Sequence, residues 1–199
     1  ILGSEELNGQ LKRLASSAPD VASVFVLHPD GHRFNSSRRF PMPAIDATDR
    51  DYYRALRAHD MIHISAPALG RLSSDRFFSL ARRRSGEGFD GLIAVSVDPA
   101  YFEAFYATLV ETPEDSVSLV RIDGTVLARY PVAPAGTRVN TEAAQRSPDG
   151  GITRLRSSVD GVERLAAFRP VGEYGVYAAF NLSSAAVWAA WRRAMIPYA

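Results

Sequence analysis

The sequence contains the same extended-turn-extended pattern twice, and this repeat constrains the fold more than any other feature. Residues 22–36 read ASVFVLHPDGHRFNS and residues 116–130 read SVSLVRIDGTVLARY. In each segment an apolar run meets an Asp-Gly pair, and a second extended run follows. Asp-Gly favours a tight β-hairpin, because glycine tolerates the positive φ that such a turn needs. The repeat therefore predicts one hairpin in each half of the chain, with chance similarity of two β-rich stretches as the alternative.

Each half also closes with a glycine followed by a nearly continuous apolar strand. These strands are predicted at 91–98 and 175–182, and a helix-capping residue follows each apolar run. Asp98, which precedes a proline, is a typical N-cap with proline at the first helical position. We therefore predict two modules of like topology, residues 20–110 and residues 111–184, each with an antiparallel sheet.

Helices are predicted at both ends of the chain. Residues 1–19 carry Leu7, Leu11 and Leu14 at i, i+4 and i+7, which places one apolar stripe along a helix. The stripe either forms the seam of a homodimer or packs against the first module. Residues 185–199 are predicted to form a C-terminal helix. The fold class is therefore α+β: a long N-terminal helix, two modules with antiparallel sheets and a C-terminal helix.

Composition excludes several classes of function. The 199 residues carry 23 cations and 22 anions, and this balance argues against nucleic-acid binding through phosphate neutralisation. The absence of cysteine removes disulfides, thiolate metal sites and cysteine nucleophiles. His28 and His32 flank the first turn and fit solvent-facing histidines better than a two-histidine metal site. Because no hydrolase, zinc-protease, nucleotide-binding or kinase motif occurs, we predict no catalytic residue, metal or cofactor.

One short segment indicates a binding site. Residues 46–53 read DATDRDYY, and Arg50 lies in the first turn of a predicted helix. The helix dipole disfavours a cation there. In a purely structural role, the nearby aspartates would offset this charge. Alternatively, Arg50 and the free N–H groups of the helix start receive a carboxylate or phosphate, with Tyr52 and Tyr53 beside them.

Several segments, in this order, resemble the double Cache (tandem PAS-like) extracytoplasmic sensor domains of bacterial receptors. The segments are residues 49–53, 64–67, 77–84, 91–98 and 99–102. The resemblance covers nearly the whole chain. It implies a membrane-distal module at 20–110 and a membrane-proximal module at 111–184. It also implies a first helix that rises from one membrane span and a last helix that descends into a second.

The resemblance further implies a ligand site in the distal module. Four residues match the amino-acid-binding motif of the family: Arg50, Tyr52 and Tyr53 for the ligand carboxylate, and Asp98 for its amine. Two tyrosines of that motif are replaced here by Ile45 and Ala68. The expected ligand is therefore a small carboxylate and not specifically an α-amino acid. Weaker candidates for the pocket are Ser65, Ser79 and Arg82.

The predicted function is the periplasmic ligand-binding sensor of an inner-membrane receptor. In the family this receptor is most often a histidine kinase, and otherwise a diguanylate cyclase or a chemotaxis receptor. Kinase activity would belong to a cytoplasmic domain outside this chain. A protein-interaction module without a small ligand is the alternative. The start without methionine and the aromatic, arginine-containing end fit a fragment cut between two membrane spans.

Overall fold

The structure is a computed structural model that describes residues 3–58, 62–71, 74–86 and 88–195. Its contacts divide the chain into two compact units, residues 1–101 and residues 102–199. The outermost parts of the two predicted terminal helices, residues 1–2 and 196–199, lie outside the described residues.

Unit 1 is built on an antiparallel sheet. Its helices are α1 (Glu5–Ala15), α2 (Asp51–Ala58) and the start of α3 (Pro99–Ala107). Its strands are β1 (Val21–Leu27), β2 (Arg33–Ser36), β3 (Ile62–Ile64), β4 (Ala68–Leu69), β5 (Arg76–Arg83) and β6 (Leu92–Val97). The strands lie in the order β2-β1-β6-β5-β3, and β4 pairs with β5.

Unit 2 has a second antiparallel sheet with the same connectivity. Its helices after α3 are α4 (Glu142–Arg146) and α5 (Ser184–Met195). Its strands are β7 (Ser116–Arg121), β8 (Val126–Tyr130), β9 (Gly151–Arg156), β10 (Glu163–Pro170) and β11 (Val176–Ser183), in the order β8-β7-β11-β10-β9. In both sheets the first hairpin strand pairs with the glycine-led last strand. The predicted α+β class and the like topology of the two modules are confirmed.

The two hairpin turns are alike in detail. Gly31 and Gly124 have φ values of +88° and +89°, which glycine adopts without strain. The carboxylate of Asp30 accepts a hydrogen bond from the N–H two residues later at 2.9 Å, and Asp123 does the same at 3.0 Å. The Asp-Gly pairs therefore form the turns for the reason that the sequence indicated.

The two faces of the unit 1 sheet are covered by different helices. On one face, Val24 and Val26 of β1 belong to the same buried cluster as Leu11 of α1. On the other face, Phe25 and Leu27 of β1 belong to the cluster that α2 covers. This division follows from the alternation of side chains along a strand.

α1 is a part of the unit 1 core. The Ser4 hydroxyl accepts a hydrogen bond from the N–H of Leu7 at 3.1 Å and caps the helix. Leu11 is only 3% exposed and Leu7 packs against the same cluster, whereas Leu14 is 57% exposed. The prediction of a dimer seam along all three leucines is corrected, because the sheet already covers two of them. Of the three leucines in this stripe, Leu14 remains exposed for a contact with another chain.

Leu11→Ala is expected to lower the free energy of unfolding by about 2–3 kcal/mol, because it leaves a cavity between α1 and β1. Leu14→Ala is the matched control and is expected to change it by less than about 0.5 kcal/mol. Urea titration followed by circular dichroism measures both values. Equal losses for the two variants would contradict the packing of α1 described above.

α5 is the last described helix. Trp188 and Trp191 lie on it in edge-to-face contact, with ring centroids 5.7 Å apart, and both rings are more than half exposed. Arg192 and Arg193 lie in its last turn. Among the described helices, none combines the length and apolar character that a membrane span requires.

Candidate functional site

A polar cavity lies in unit 1, on the face of the sheet that carries α2. Its volume is about 70 Å³, which holds about five waters at roughly 10–15 Å³ each. Ser23 of β1 and Ser96 of β6 line it from the sheet, and Tyr52 lines it from α2. Its charged lining consists of five arginines and two aspartates: Arg33, Arg38, Arg50, Arg71, Arg76, Asp75 and Asp98. This excess of cations favours an anionic occupant.

Arg50 lies directly before the first residue of α2, at the edge of the cavity. Its guanidinium Nη2 donates a hydrogen bond to the carbonyl oxygen of Leu69 at 3.0 Å. A neutral carbonyl orients the side chain but leaves its charge uncompensated. Within the described part of the chain, Arg50 forms no ion pair with a carboxylate.

The aspartates near Arg50 are engaged elsewhere. Asp46 accepts a hydrogen bond from the N–H of Thr48 at 2.8 Å, and Asp49 forms an ion pair with Arg71. Asp51 accepts a hydrogen bond from the N–H of Ala66 at 2.8 Å and lies 3.5 Å from Nε2 of His63. The purely structural reading of Arg50, in which these carboxylates neutralise it, therefore has no contact to support it.

Asp51 fixes the start of α2 against the segment after β3. Burial raises the pKa of its carboxyl, but the contact with His63 and the hydrogen bond from Ala66 outweigh this and lower the pKa overall. The carboxylate is thus charged at neutral pH. It holds the first turn of α2, and with it Arg50, in position beside the cavity.

Arg33 of β2 is a second arginine without a carboxylate partner among the described residues. Its guanidinium carbon lies 4.1 Å from the centroid of the Phe25 ring, and its buried Nε has no hydrogen-bond partner in the described structure. Burial lowers the pKa of Arg33, the Tyr52 hydroxyl opposes this, and the charges of Arg50 and Arg71 lower the pKa further. An anion beside Nε would supply the missing acceptor and reduce this repulsion.

Two other arginines of the cavity are already paired. Arg38 Nη1 lies 3.1 Å from a carboxylate oxygen of Asp75, and Arg71 pairs with Asp49. These pairs are largely exposed, so each contributes little to stability. Their charges are offset locally, whereas Arg33 and Arg50 of the same lining have no carboxylate partner among the described residues.

Asp98 lines the cavity and also caps α3. Its Oδ1 accepts a hydrogen bond from the N–H of Ala100 at 2.9 Å. The carboxylate therefore has a structural role in addition to any contact with a ligand. Among the described residues, no three histidine or acidic side chains are grouped so that they could hold a metal ion.

The structure brings three of the predicted site residues together: Arg50, Tyr52 and Asp98 all line the cavity. Tyr53 does not line it, because the next position on a helix points in another direction. Its hydroxyl donates to the carbonyl oxygen of Pro29 at 2.6 Å, and its ring meets Phe89 edge to face. Tyr53 is therefore a core residue.

Arg82 lies on the opposite face of the sheet from the cavity. It pairs with Ile93 in β6, whereas the neighbouring Ala81 is buried beneath α2. Alternation along β5 thus turns Arg82 away from the site. The prediction that Arg82 belongs to the pocket is corrected for this reason.

Ser65 and Ser79 lie next to each other but are not lining residues. The Ser65 hydroxyl accepts a hydrogen bond from the N–H of Ser79 at 2.8 Å and donates to the carbonyl oxygen of Ala66 at 3.0 Å. Ser79 pairs with Ser96 across the sheet and is fully buried. Its hydroxyl has no partner among the described residues. These serines tie β5 to the segment after β3.

Sequence reasoning missed most of the charged lining of the cavity. Arg33 is the most consequential omission, because an arginine just after a hairpin turn is typical of a solvent-facing strand end. Its direction is set by the pairing of β2 with β1, in which Arg33 lies opposite Leu27. The other omitted cations are Arg38, Arg71 and Arg76.

The solved structures that resemble this chain include the following three. The extracellular domain of rpHK1S-Z16, a protein assigned as a histidine kinase, is 28% identical, with 93% of this chain and 80% of that chain covered at a TM-score of 0.80. The ligand-binding domain of the Pseudomonas aeruginosa PAO1 amino acid chemoreceptor PctB, in complex with L-Arg, is 16% identical. The match covers 99% of this chain and 80% of that chain at a TM-score of 0.69. The ligand-binding domain of the Pseudomonas fluorescens chemoreceptor CtaA, in complex with L-serine, is 14% identical. The match covers 89% of this chain and 78% of that chain at a TM-score of 0.63.

A family model described as a histidine kinase sensor domain, of the dCache_1-like type, matches residues 99–179. The chain has a double Cache fold. The resemblance predicted from the sequence is thereby confirmed. The match to the double Cache model lies almost wholly in unit 2, whereas the cavity lies in unit 1. A comparison with curated proteins finds no match by sequence.

Proposed function

We propose that the chain is the periplasmic sensor domain of an inner-membrane histidine kinase and that unit 1 binds a small carboxylate in the cavity around Arg50. Unit 1 would be the membrane-distal module and unit 2 the membrane-proximal one. The kinase activity would belong to a cytoplasmic part of the parent protein. The family match and the similarity to the rpHK1S-Z16 domain support the receptor class.

The observation that carries the proposal is that Arg50 lines the cavity without a carboxylate partner among the described residues. Its guanidinium lines a cavity of small-molecule size and is oriented by the Leu69 carbonyl, while the aspartates around it are engaged by other groups. A carboxylate ligand could accept two parallel hydrogen bonds from this fork. Tyr52 lines the same cavity and adds a hydroxyl and an aromatic surface to it.

A second candidate is the sensor domain of a chemoreceptor. The similarity to PctB and CtaA favours it, and both of those domains are in complex with amino acids. Asp98 at the cavity gives an amine a possible partner. The excess of arginines over aspartates in the lining favours a ligand with more negative than positive charge, so the carboxylate proposal does not require an α-amine.

The proposed signal arises from differential affinity. A ligand held between Arg50 at the start of α2 and the sheet would stabilise the arrangement in which these elements enclose it. Only a difference in affinity between two arrangements can shift their populations. The signal would therefore begin as a change in the position of α2 relative to the sheet of unit 1.

A thermal-shift screen of small carboxylates, amines and sugars tests the proposal. We expect at least one carboxylate, at about 100 times its Kd, to raise the melting temperature by about 5–10 °C. Arg50→Ala is expected to abolish the shift, because it removes the fork that holds the carboxylate.

Arg13→Ala is the matched control. Arg13 is exposed on α1, on the other side of the sheet, so its loss is expected to leave the shift unchanged. A screen in which no carboxylate raises the melting temperature would contradict the proposal. An undiminished shift in Arg50→Ala would place the ligand elsewhere.

A further inference from the structure

The cavity contains two cations that its own residues do not neutralise. Within the described residues, neither Arg33 nor Arg50 forms an ion pair, although both line the same cavity of about 70 Å³. Arg50 has one carbonyl acceptor. Arg33 has an aromatic ring beneath its guanidinium and a buried Nε without any acceptor.

A single carboxylate neutralises only one of these two charges. A carboxylate on the Arg50 fork forms two parallel hydrogen bonds and offsets one positive charge. A second anionic group would offset the charge of Arg33 and accept from its buried Nε–H, which is costly to leave without an acceptor in a protein interior. The two guanidinium groups come from different elements, since Arg33 belongs to β2 and Arg50 precedes α2.

The two carboxylates that line the cavity are engaged by other groups. Asp75 is engaged with Arg38 at 3.1 Å, and Asp98 receives the N–H of Ala100 at the start of α3. Neither aspartate of the lining therefore supplies the acceptor that the Arg33 Nε lacks among the described residues.

Resting on the proposed function of this cavity, we propose that its ligand is a small dicarboxylate, with one carboxylate on Arg50 and the second on Arg33. The volume suits an acid of about three to four carbons, since it equals the space of about five waters. Arg33 then determines specificity. The Phe25 ring supports its guanidinium from below, and the Tyr52 hydroxyl lies beside it.

Isothermal titration with acids of matched carbon skeleton tests this proposal. Succinate is compared with butyrate and malonate with propionate, each at the same ionic strength. We expect each dicarboxylate to bind at least about tenfold more tightly than its monocarboxylate, because one further charge-assisted contact forms. Arg33→Gln is expected to bring this ratio close to one.

Two further variants control for folding and for charge. Arg33→Lys keeps the cation but loses the planar fork, so an intermediate ratio is expected. Arg13→Gln removes the same charge from the exposed face of α1 and is expected to leave the ratio unchanged. Circular dichroism before each titration shows whether the variant is folded.

The outcomes separate this inference from the function on which it rests. Equal affinity for dicarboxylates and monocarboxylates, or an unchanged ratio in both folded Arg33 variants, would overturn the dicarboxylate assignment and leave carboxylate binding intact. Tighter binding of inorganic phosphate than of every dicarboxylate would assign the two arginines to one compact dianion and would overturn it as well. Absence of binding by any acid would remove both proposals.

Discussion

Asp160→Asn is expected to lower the free energy of unfolding by about 3 kcal/mol, near the lower end of the cost of breaking a buried ion pair. Asp160 is the shared partner of two buried cations of unit 2. Its oxygens lie 2.6 Å from Arg164 Nη1 and 3.0 Å from Arg129 Nη2. Arg164 is 2% exposed and Arg129 is 6% exposed, so both guanidinium groups would lose their counter-charge in a poorly solvated place.

The isosteric amide makes the test specific. Asparagine keeps the shape of the side chain but turns one acceptor into a donor that faces guanidinium donors. The remaining amide oxygen can accept from one of the two guanidinium groups, and Arg164 also keeps its hydrogen bond from Nε to the Glu114 carbonyl oxygen at 2.6 Å. Because the side chain of Asp160 is itself 34% exposed, water offsets part of the loss.

Urea titration followed by tryptophan fluorescence measures this change, since both tryptophans of the sequence lie in unit 2. Asp149→Asn, at an exposed position of the same unit, is the control and is expected to change the value by less than about 0.5 kcal/mol. Adding Arg164→Met to Asp160→Asn is expected to recover part of the loss, because one uncompensated cation is removed. If the double variant is less stable than the single one, the charge argument is wrong.

Acid titration gives the same prediction a second readout. Burial raises the pKa of Asp160, but hydrogen bonds from Arg164, Ser157 and the Val162 N–H, together with the charge of Arg164, lower it far below the ordinary value of 3.8. A lowered pKa means that the carboxylate stabilises the fold above 3.8 and that this contribution is lost as the pH falls below it. The difference in stability between the protein and Asp160→Asn is therefore expected to shrink on acidification.

The hairpins and the glycine-led strands could be predicted because their signals are local. Asp-Gly turns depend on the φ of a single glycine and on a hydrogen bond two residues along the chain, as at Asp30 and Asp123. The same strand order in both units then follows from repeating the same local pieces. The predicted seam required correction at Leu7 and Leu11, because the stripe on α1 indicates an apolar face without indicating what covers it.

The candidate site could be predicted only where local physics was unusual. Arg50 was identifiable because a cation at the start of a helix is unfavourable. Arg33 and Arg82 both lie on strands. The alternation of side chains along a strand indicates only that neighbouring residues face opposite sides of the sheet. Which face holds the cavity depends on how the helices pack on the sheet. The sequence therefore could not predict that Arg33 faces the cavity and that Arg82 faces away from it.

Gly91→Ala is expected to lower the free energy of unfolding by about 2–5 kcal/mol, as the sum of about 1–2 for a left-handed alanine and about 1–3 for overpacking. Gly91 precedes β6 and has a φ of +85°. A Cβ added there would overlap the carbonyl oxygen of Leu27 in β1. Because that atom belongs to the backbone of the central strand pair, it cannot move aside as a flexible side chain would.

Two other glycines separate the cost of a left-handed alanine from the cost of overpacking. Their alanine variants are compared with Gly91→Ala by the same urea titration. Gly88 has a φ of +70° and open space around an added Cβ, and Gly175 has a φ of +63° and only an ordinary contact with Ile122. Alanine at either position is expected to cost only the backbone part, about 1–2 kcal/mol. Equal losses at all three positions would mean that β1 yields to the new methyl group. A larger loss at Gly91 alone would mean that the first module requires this glycine for the close approach of β1, whereas the second requires Gly175 only for its backbone conformation.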